Sequence, residues 1–319
     1  MLKYVFGRVV QAFIVVVIVS VVVFLLMHLV PGDVVTVLAG PDPEPAVVAA
    51  LRAKLGLDDP LPVQYFRWAF AALQGDLGTS PYIGRPVTEL IARRLPATLE
   101  LAIAAIIIAS VFGILIGVIA ALRQGSWVDT LITTANSFIL SIPNFWFGIV
   151  GIIVFAVWLG WLPSGGRKLF SDDPIKALQY LLLPAIALAL DSIAMIARLV
   201  RASVLDELSR DYVTVARAKG VQASRLMRLH ISRNAAIPVL TVLGLRFGQM
   251  LGGAVLIESV FNWPGLGRLT IEAIRSRDIV LVQGTLMYFV IIYMAINLLI
   301  DLSYGWFNPR IRASTGGAV

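Results

Sequence analysis

The chain has 319 residues, of which 59% are hydrophobic and only 14% charged, with a mean hydropathy of +0.88 and a net charge of +7. Soluble domains carry about 25% charged residues, so this composition excludes an ordinary soluble domain and indicates an integral membrane protein. The absence of cysteine excludes disulfides, iron–sulfur clusters and cysteine-ligated zinc. The basic excess is explained by its placement between spans and calls for no nucleic acid.

A helical span needs roughly 20 apolar residues, and windows of that kind fall near 9–30, 97–122, 131–159, 178–200, 237–260 and 281–303. The expectation is an all-α membrane protein with six transmembrane helices. The first window follows Lys3 and Arg8, as a secretory signal would. Its apolar run, Val9 to Val30, exceeds the roughly 7–15 residues of a signal core and lacks a small-x-small cleavage site. A retained signal-anchor helix is expected. Pro31-Gly32-Asp33 then breaks that helix, and residues 44–56 read as a short amphipathic helix ended by Gly56.

From Pro60 to Arg94, aromatics (Tyr65, Phe66, Trp68, Phe70) mix with turns at Gly75-Asp76 and Gly84-Arg85-Pro86. This describes a small helical cap on the outer surface. It serves either as an interfacial belt anchoring the first span or as a contact for a partner. The third span contains Pro143 and Asn144, and the fourth has Pro184 near its start. Proline in a membrane helix frees a carbonyl and kinks the rod, which suits a helix bending around a pathway but also occurs in inert packing. Beyond the fifth span, Asn262-Trp263-Pro264-Gly265 forms a turn, and the following TIEAIRS suits a short outer helix. No internal repeat is evident, which weighs against carriers whose two halves repeat within one chain.

With the N-terminus inside, thirteen of the 26 lysines and arginines fall on inner segments and six on the two short outer loops. The long segment 31–95 adds six basic residues accompanied by seven acidic ones, and loops of that length cross largely regardless of charge. Cytoplasmic termini in a cytoplasmic membrane are favoured. The expected division is 1–95 for the first helix and a long extracytoplasmic segment, 96–303 for a five-helix core with a cytoplasmic loop at 198–236, and 304–319 for a cytoplasmic tail.

That loop is the most informative stretch. Residues 198–233 hold seven Arg and one Lys against Asp206, Glu207 and Asp211. Leu205, Leu208, Tyr212, Val215 and Ala216 recur at helical steps and predict one apolar face. Lys219 and then Gly220 supply a cation in the last turn and a residue able to adopt positive φ. A second short helix is expected from Val221 to about Ser232, with Leu226, Leu229 and His230 on one side. Two short helices meeting at a glycine form a knob that a soluble subunit can grip. Charge alone would equally suit residues tiling lipid headgroups; paired amphipathic helices are not needed for that.

Chemistry-bearing groups are few. No G-x-x-x-x-G-K-[ST] loop is present, His28 and His230 are far apart in sequence, and Asp58-Asp59 and Asp172-Asp173 fall in outer loops. Nothing pairs a nucleophile with a base, so an enzyme and a metal site are not expected. Four ionisable groups lie in or beside spans: Asp191, Arg246, Glu258 and Asp301. A charge at the bilayer centre costs about 2.5–3.5 kcal/mol, so such groups usually face a cavity or a partner helix. Glu258 and Asp301 lie near helix ends, within reach of headgroups. Asp191 is deepest: it either lines a pathway or pairs with Arg246 to hold two helices together. With Asn144 beside the Pro143 kink, Asp191, Arg246 and Glu258 are the candidate pathway residues. Their scarcity argues against a self-contained ion-coupled carrier and points to an energy source outside the chain.

RDYVTVARAKG (210–220) followed by HISRNAAIP (230–238) resembles the cytoplasmic coupling loop, the EAA loop, of binding-protein-dependent ABC importer permeases. GGAVLIESVFNWPGLGRL (252–269), Arg277-Asp278, LVPGD (29–33), GDLGTS (75–80) and RLPATLEL (94–101) are similar to the first permease of the dipeptide/oligopeptide/nickel subfamily. The resemblance covers nearly the whole chain. It implies a type I ABC importer permease fold, with Gly220 as the loop's glycine and Thr214-Val215-Ala216 standing where Glu-Ala-Ala names the motif. Ser232-Arg233 replaces the Leu-Pro of the general pattern. Arg210, Tyr212, Thr214, Val215, Ala216, Lys219, Gly220 and Val221 are the implied ATPase-coupling residues. The implied partners are a second homologous permease, two cytoplasmic ABC ATPase subunits, an extracytoplasmic solute-binding protein and the lipid bilayer. The chain itself would hold no cofactor; ATP and Mg would be bound by the ATPases. Dipeptides or oligopeptides are the implied cargo, with glutathione, a nickel chelate or another small solute as alternatives.

Overall fold

The computed structural model describes residues 2–29, 44–227 and 231–307. The Pro31-Gly32-Asp33 break, Leu229, His230, Arg310 and Arg312 lie outside them, as does the side chain of Asp301. The described residues are helical apart from turns and one isolated bridge between Thr79 and Pro86. In chain order the helices are α1 (Leu2–Leu29), α2 (Pro45–Leu55), α3 (Leu61–Leu73), α4 (Val87–Leu122), α5 (Trp127–Ser141), α6 (Asn144–Gly151) with a π-helical continuation Ile152–Trp158, and α7 (Pro174–Leu208). They continue with α8 (Asp211–Ala218), α9 (Ala223–Leu226), α10 (Ser232–Val260), α11 (Leu266–Arg275) and α12 (Ile279–Phe307).

Five of these (α1, α4, α7, α10 and α12) are long and apolar enough to cross a membrane. The expected third span is not one kinked rod: α5 and the α6 segment meet at 100°. The cause is local. Ile142 is extended (φ −118°, ψ 134°), as the steric conflict with a following proline favours, and Pro143 continues the break with ψ 138°. Pro96, Pro184 and Pro238, by contrast, sit inside continuous helices.

The chain divides into two compact units, residues 1–98 with 264–319 and residues 99–263. In the first, α1 packs along α12, which also carries α11. Leu77, Val87, Ile91, Leu266, Leu269, Ala273 and Leu281 form its core. The polar turn before α4 is tied to α12 through Asp278, which is buried, accepts the Ser80 hydroxyl and caps α12 by taking the Leu281 N–H at 3.0 Å. Helix α2 ends at Gly56 with φ +64°. On α3, Tyr65 and Trp68 stack around Phe24 of α1, with ring centroids 5.5 and 6.0 Å away, and the Tyr65 hydroxyl meets Ser20 Oγ at 2.8 Å. Phe66 and Phe70 remain exposed. The aromatic cap therefore clasps the first helix with one set of rings and presents another outward.

In the second unit α7 is the most buried spanning helix and packs against α5, α6 and α10. Against α4 the approach is closer still. A methyl group on Gly113 would lie 2.8 Å from Ile196 Cβ, and one on Gly117 would lie 2.6 Å from the Ala197 carbonyl oxygen. Hydrocarbon solvates apolar side chains as well as a protein does, so membrane helices associate through close packing at small residues spaced four apart. Gly117→Leu is therefore expected to destabilise the chain by about 1–3 kcal/mol, with Gly117→Ala in between. Thermal unfolding of the purified protein in detergent measures the order.

Candidate functional site

The polar stretch between α7 and α10 folds as a small knob. Helix α7 stops at Leu208, and α8 begins after two intervening residues, at Asp211. Val213 is fully buried and Leu226 and Ile231 nearly so, whereas Tyr212, Thr214, Val215, Arg217 and Lys219 are exposed and Ala216 and Val221 half-buried. The expected apolar face is thus rotated: Val213, not Val215, turns inward. The helical period is as expected and its phase is not. Of the expected second helix, Val221 to about Ser232, residues 228–230 lie outside the described ones; its described part includes the turn α9, whose Leu226 is buried.

Gly220 closes α8 in the left-handed region with φ +78°, and the Val221 N–H reaches back to the Ala216 carbonyl at 3.1 Å. This return bond satisfies a carbonyl that the helix end would otherwise leave open. Arg210 pairs with Asp206 at 3.2 Å and Glu207 at 3.0 Å, and the Asp206 hydrogen bond, then Glu207, hold its guanidinium above the usual pKa. Burial pushes the Tyr212 phenol up, and its bond to Glu207 adds to the shift, so Tyr212 stays a donor. An open groove of about 420 Å³ at the base of the knob is lined by residues including Leu122, Leu205, Leu208 and Arg217.

Of the pathway candidates, Asp191 and Arg246 come together at 3.6 Å, each near the middle of its helix, and link α7 to α10. The Asp191 side chain is 40% exposed and that of Arg246 18%. Asn144 opens α6 against α10: a methyl on Gly253 would lie 3.7 Å from its amide nitrogen. Glu258 does not reach outward to headgroups; it is fully buried beside the turn in which its carbonyl accepts the Trp263 N–H at 2.8 Å. Around that turn Phe261 and Trp263 are buried, the Gly166 N–H donates to the Phe261 carbonyl at 2.8 Å, and Arg167 lies 5.8 Å over the Trp263 ring while pairing with Glu100. Among the described residues no three His, Cys, Asp or Glu side chains gather as a metal site.

A further pair escaped sequence reasoning. Asp129, in the first turn of α5, is buried and receives both arms of Arg201 on α7, at 2.7 and 2.8 Å, with a third bond from the Gly125 N–H at 3.0 Å. It locks the first half of the bent pair to the helix that carries the knob. The available signal was a lone acid one turn inside a span, but its partner is 72 positions away. Asp129→Asn is expected to lower the thermal midpoint in detergent because it leaves Arg201 without its counter-charge. Adding Arg201→Gln should recover part of the loss, a difference that a double-mutant cycle reads directly.

The sequence pattern of the family described as binding-protein-dependent transport system inner membrane component matches residues 113–313, and that of its N-terminal region matches residues 1–102. A Brucella abortus protein named as a peptide transport system permease is 43% identical over 96% of this chain and 97% of its own length. The glutathione transport system permease protein GsiC of Salmonella paratyphi A is 42% identical over 98% of this chain and 99% of its own. An inward-facing structure of the MetNI methionine ABC transporter aligns with a TM-score of 0.56 at 18% identity, covering 69% of this chain and 96% of that one, a likeness of fold alone.

Proposed function

The chain belongs to the family of binding-protein-dependent transport system inner membrane components, and from that premise we propose that it is the first permease of an ATP-driven importer of dipeptides and oligopeptides, within the dipeptide/oligopeptide/nickel subfamily. It is a membrane permease subunit. In this reading α5 and the α6 segment together make one span, giving six, with both termini in the cytoplasm. Residues 1–95 supply the first span and outer segment, 96–303 the core, and 304–319 the tail. A second, similar permease closes the other half of the pathway, and Asp191, Arg246, Asn144 and Glu258 belong to its lining or gate. An extracytoplasmic binding protein delivers the cargo.

The observation that carries the proposal is the knob. Buried Val213, Leu226 and Ile231 anchor α8, leaving Tyr212, Thr214 and Val215 outward at the end of a long packed helix. Such a surface suits two cytoplasmic ATPase subunits that bind ATP and Mg. Their closure would move α8 together with α7 and α10, biasing a two-state pathway from a distant site. Peptide cargo is favoured by the 43% identical relative's name, and glutathione, the second reading, by the 42% identical one. Binding protein loaded with each candidate and presented to the assembled complex should stimulate ATP hydrolysis only with the true cargo.

Gly220 provides a sharper test. A non-glycine residue in the left-handed region costs about 1–2 kcal/mol, more when β-branched. Gly220→Val is expected to abolish uptake while ATP hydrolysis continues without binding-protein stimulation. Uptake at the unsubstituted rate in proteoliposomes would contradict the lever.

A further inference from the structure

We infer that Glu207 is a positioning residue for coupling: its buried carboxylate sets the angle of α8 against α7 and α10 together. The inference rests on the transport reading above. Glu207 is the penultimate residue of α7, and its side chain is only 7% exposed. One oxygen, Oε2, accepts the Tyr212 hydroxyl of α8 at 2.6 Å and the Asn234 amide of α10 at 3.1 Å. The other, Oε1, faces Arg210 Nη2 at 3.0 Å. Asn234 Nδ2 also lies 3.5 Å from the Tyr212 hydroxyl, which closes a triangle among three elements.

The neighbouring acid supplies the contrast. The Asp206 side chain is 69% exposed and pairs with Arg210. An ion is withdrawn from water only at a cost that partners must offset, and Glu207 has those partners where Asp206 has solvent. Only Ser209 and Arg210 separate α7 from α8. Two residues permit a pivot, and the apolar anchor at Val213 fixes depth without fixing rotation. The bonds at Oε2 supply the missing restraint because hydrogen bonds to an ionised acceptor are short and directional. A load on the exposed face of α8 therefore passes to α7 and α10 at once.

The test uses the complete complex in proteoliposomes: both permeases, both ATPases and the loaded binding protein. Solute taken up per ATP hydrolysed is read beside the yield of co-purifying ATPase. Glu207→Ala is expected to keep the ATPases bound but lower that ratio by about five- to tenfold, the lower range of measured coupling effects. Glu207→Gln should stay near the unsubstituted ratio. Its amide oxygen can accept both Tyr212 and Asn234, and the lost pair with half-exposed Arg210 contributes little. Tyr212→Phe should lower the ratio when introduced alone and do nothing further in the Glu207→Ala background. An unsubstituted ratio in both Glu207→Ala and Tyr212→Phe, or additive effects of the two, would overturn the inference while leaving the transport reading intact. Should Glu207→Ala fail to assemble, Tyr212→Phe and Asn234→Ala carry the same expectation of a lowered ratio and the same power to refute it. Absence of ATP-driven uptake by the unsubstituted complex would instead remove the transport reading, and this inference with it.

Discussion

Hydrocarbon offers no water to answer an ion, and the second unit is arranged around that constraint. Three ionisable groups on α7 find their counter-groups on three neighbouring helices, α5, α8 and α10. Asp191 meets Arg246 on α10, Arg201 meets Asp129 on α5, and Glu207 meets Tyr212 on α8 and Asn234 on α10. These contacts are directional where the surrounding apolar packing is not. Packing brings the helices to contact distance, closest at Gly113 and Gly117 on α4; the polar pairs fix which residue faces which.

That division explains what the sequence disclosed. Apolar windows and the basic island are matters of composition, so five spanning helices and the knob between α7 and α10 were visible without coordinates. Gly56 and Gly220 were visible too, because positive φ after the last helical turn is a local requirement that glycine meets best. At Ile142-Pro143 a kink was legible, but its 100° size was not. Proline also sits inside α4, α7 and α10 without ending them, so the residue type does not decide between a continuous helix and a corner. The inward turn of Val213 escaped for a related reason: the period of α8 is a local property of its sequence, but which residue is buried is set by the fold. Asp129 shows locally only as a lone acid at the start of a span, its partner Arg201 lying 72 positions away, and Glu258 was assigned to headgroups because the fold of the Trp263 turn around it is a tertiary fact.

The same arrangement gives the transport reading its mechanical content. A surface that receives force is useful only if it does not yield before the force reaches the pathway. Val213, Leu226 and Ile231 keep α8 seated, Glu207 joins it to both adjoining helices, and the Asp129–Arg201 pair ties α7 to the bent segment. Asp191 and Arg246 lie farther along those same two helices, midway through the apolar region. Displacement at the knob and rearrangement at the pair are therefore motions of the same two helices.

At the turn after α8, among the described residues no atom beyond the adjoining chain stands within 4 Å of where a Gly220 side chain would project. The site has room; what it refuses is a handedness. An L-amino acid is strained there at any size, whereas a mirror-image residue such as D-alanine meets the torsion at no steric penalty. Semisynthetic placement of that single stereocentre would stiffen the corner while leaving its surface almost unaltered, separating the geometry of the turn from its flexibility.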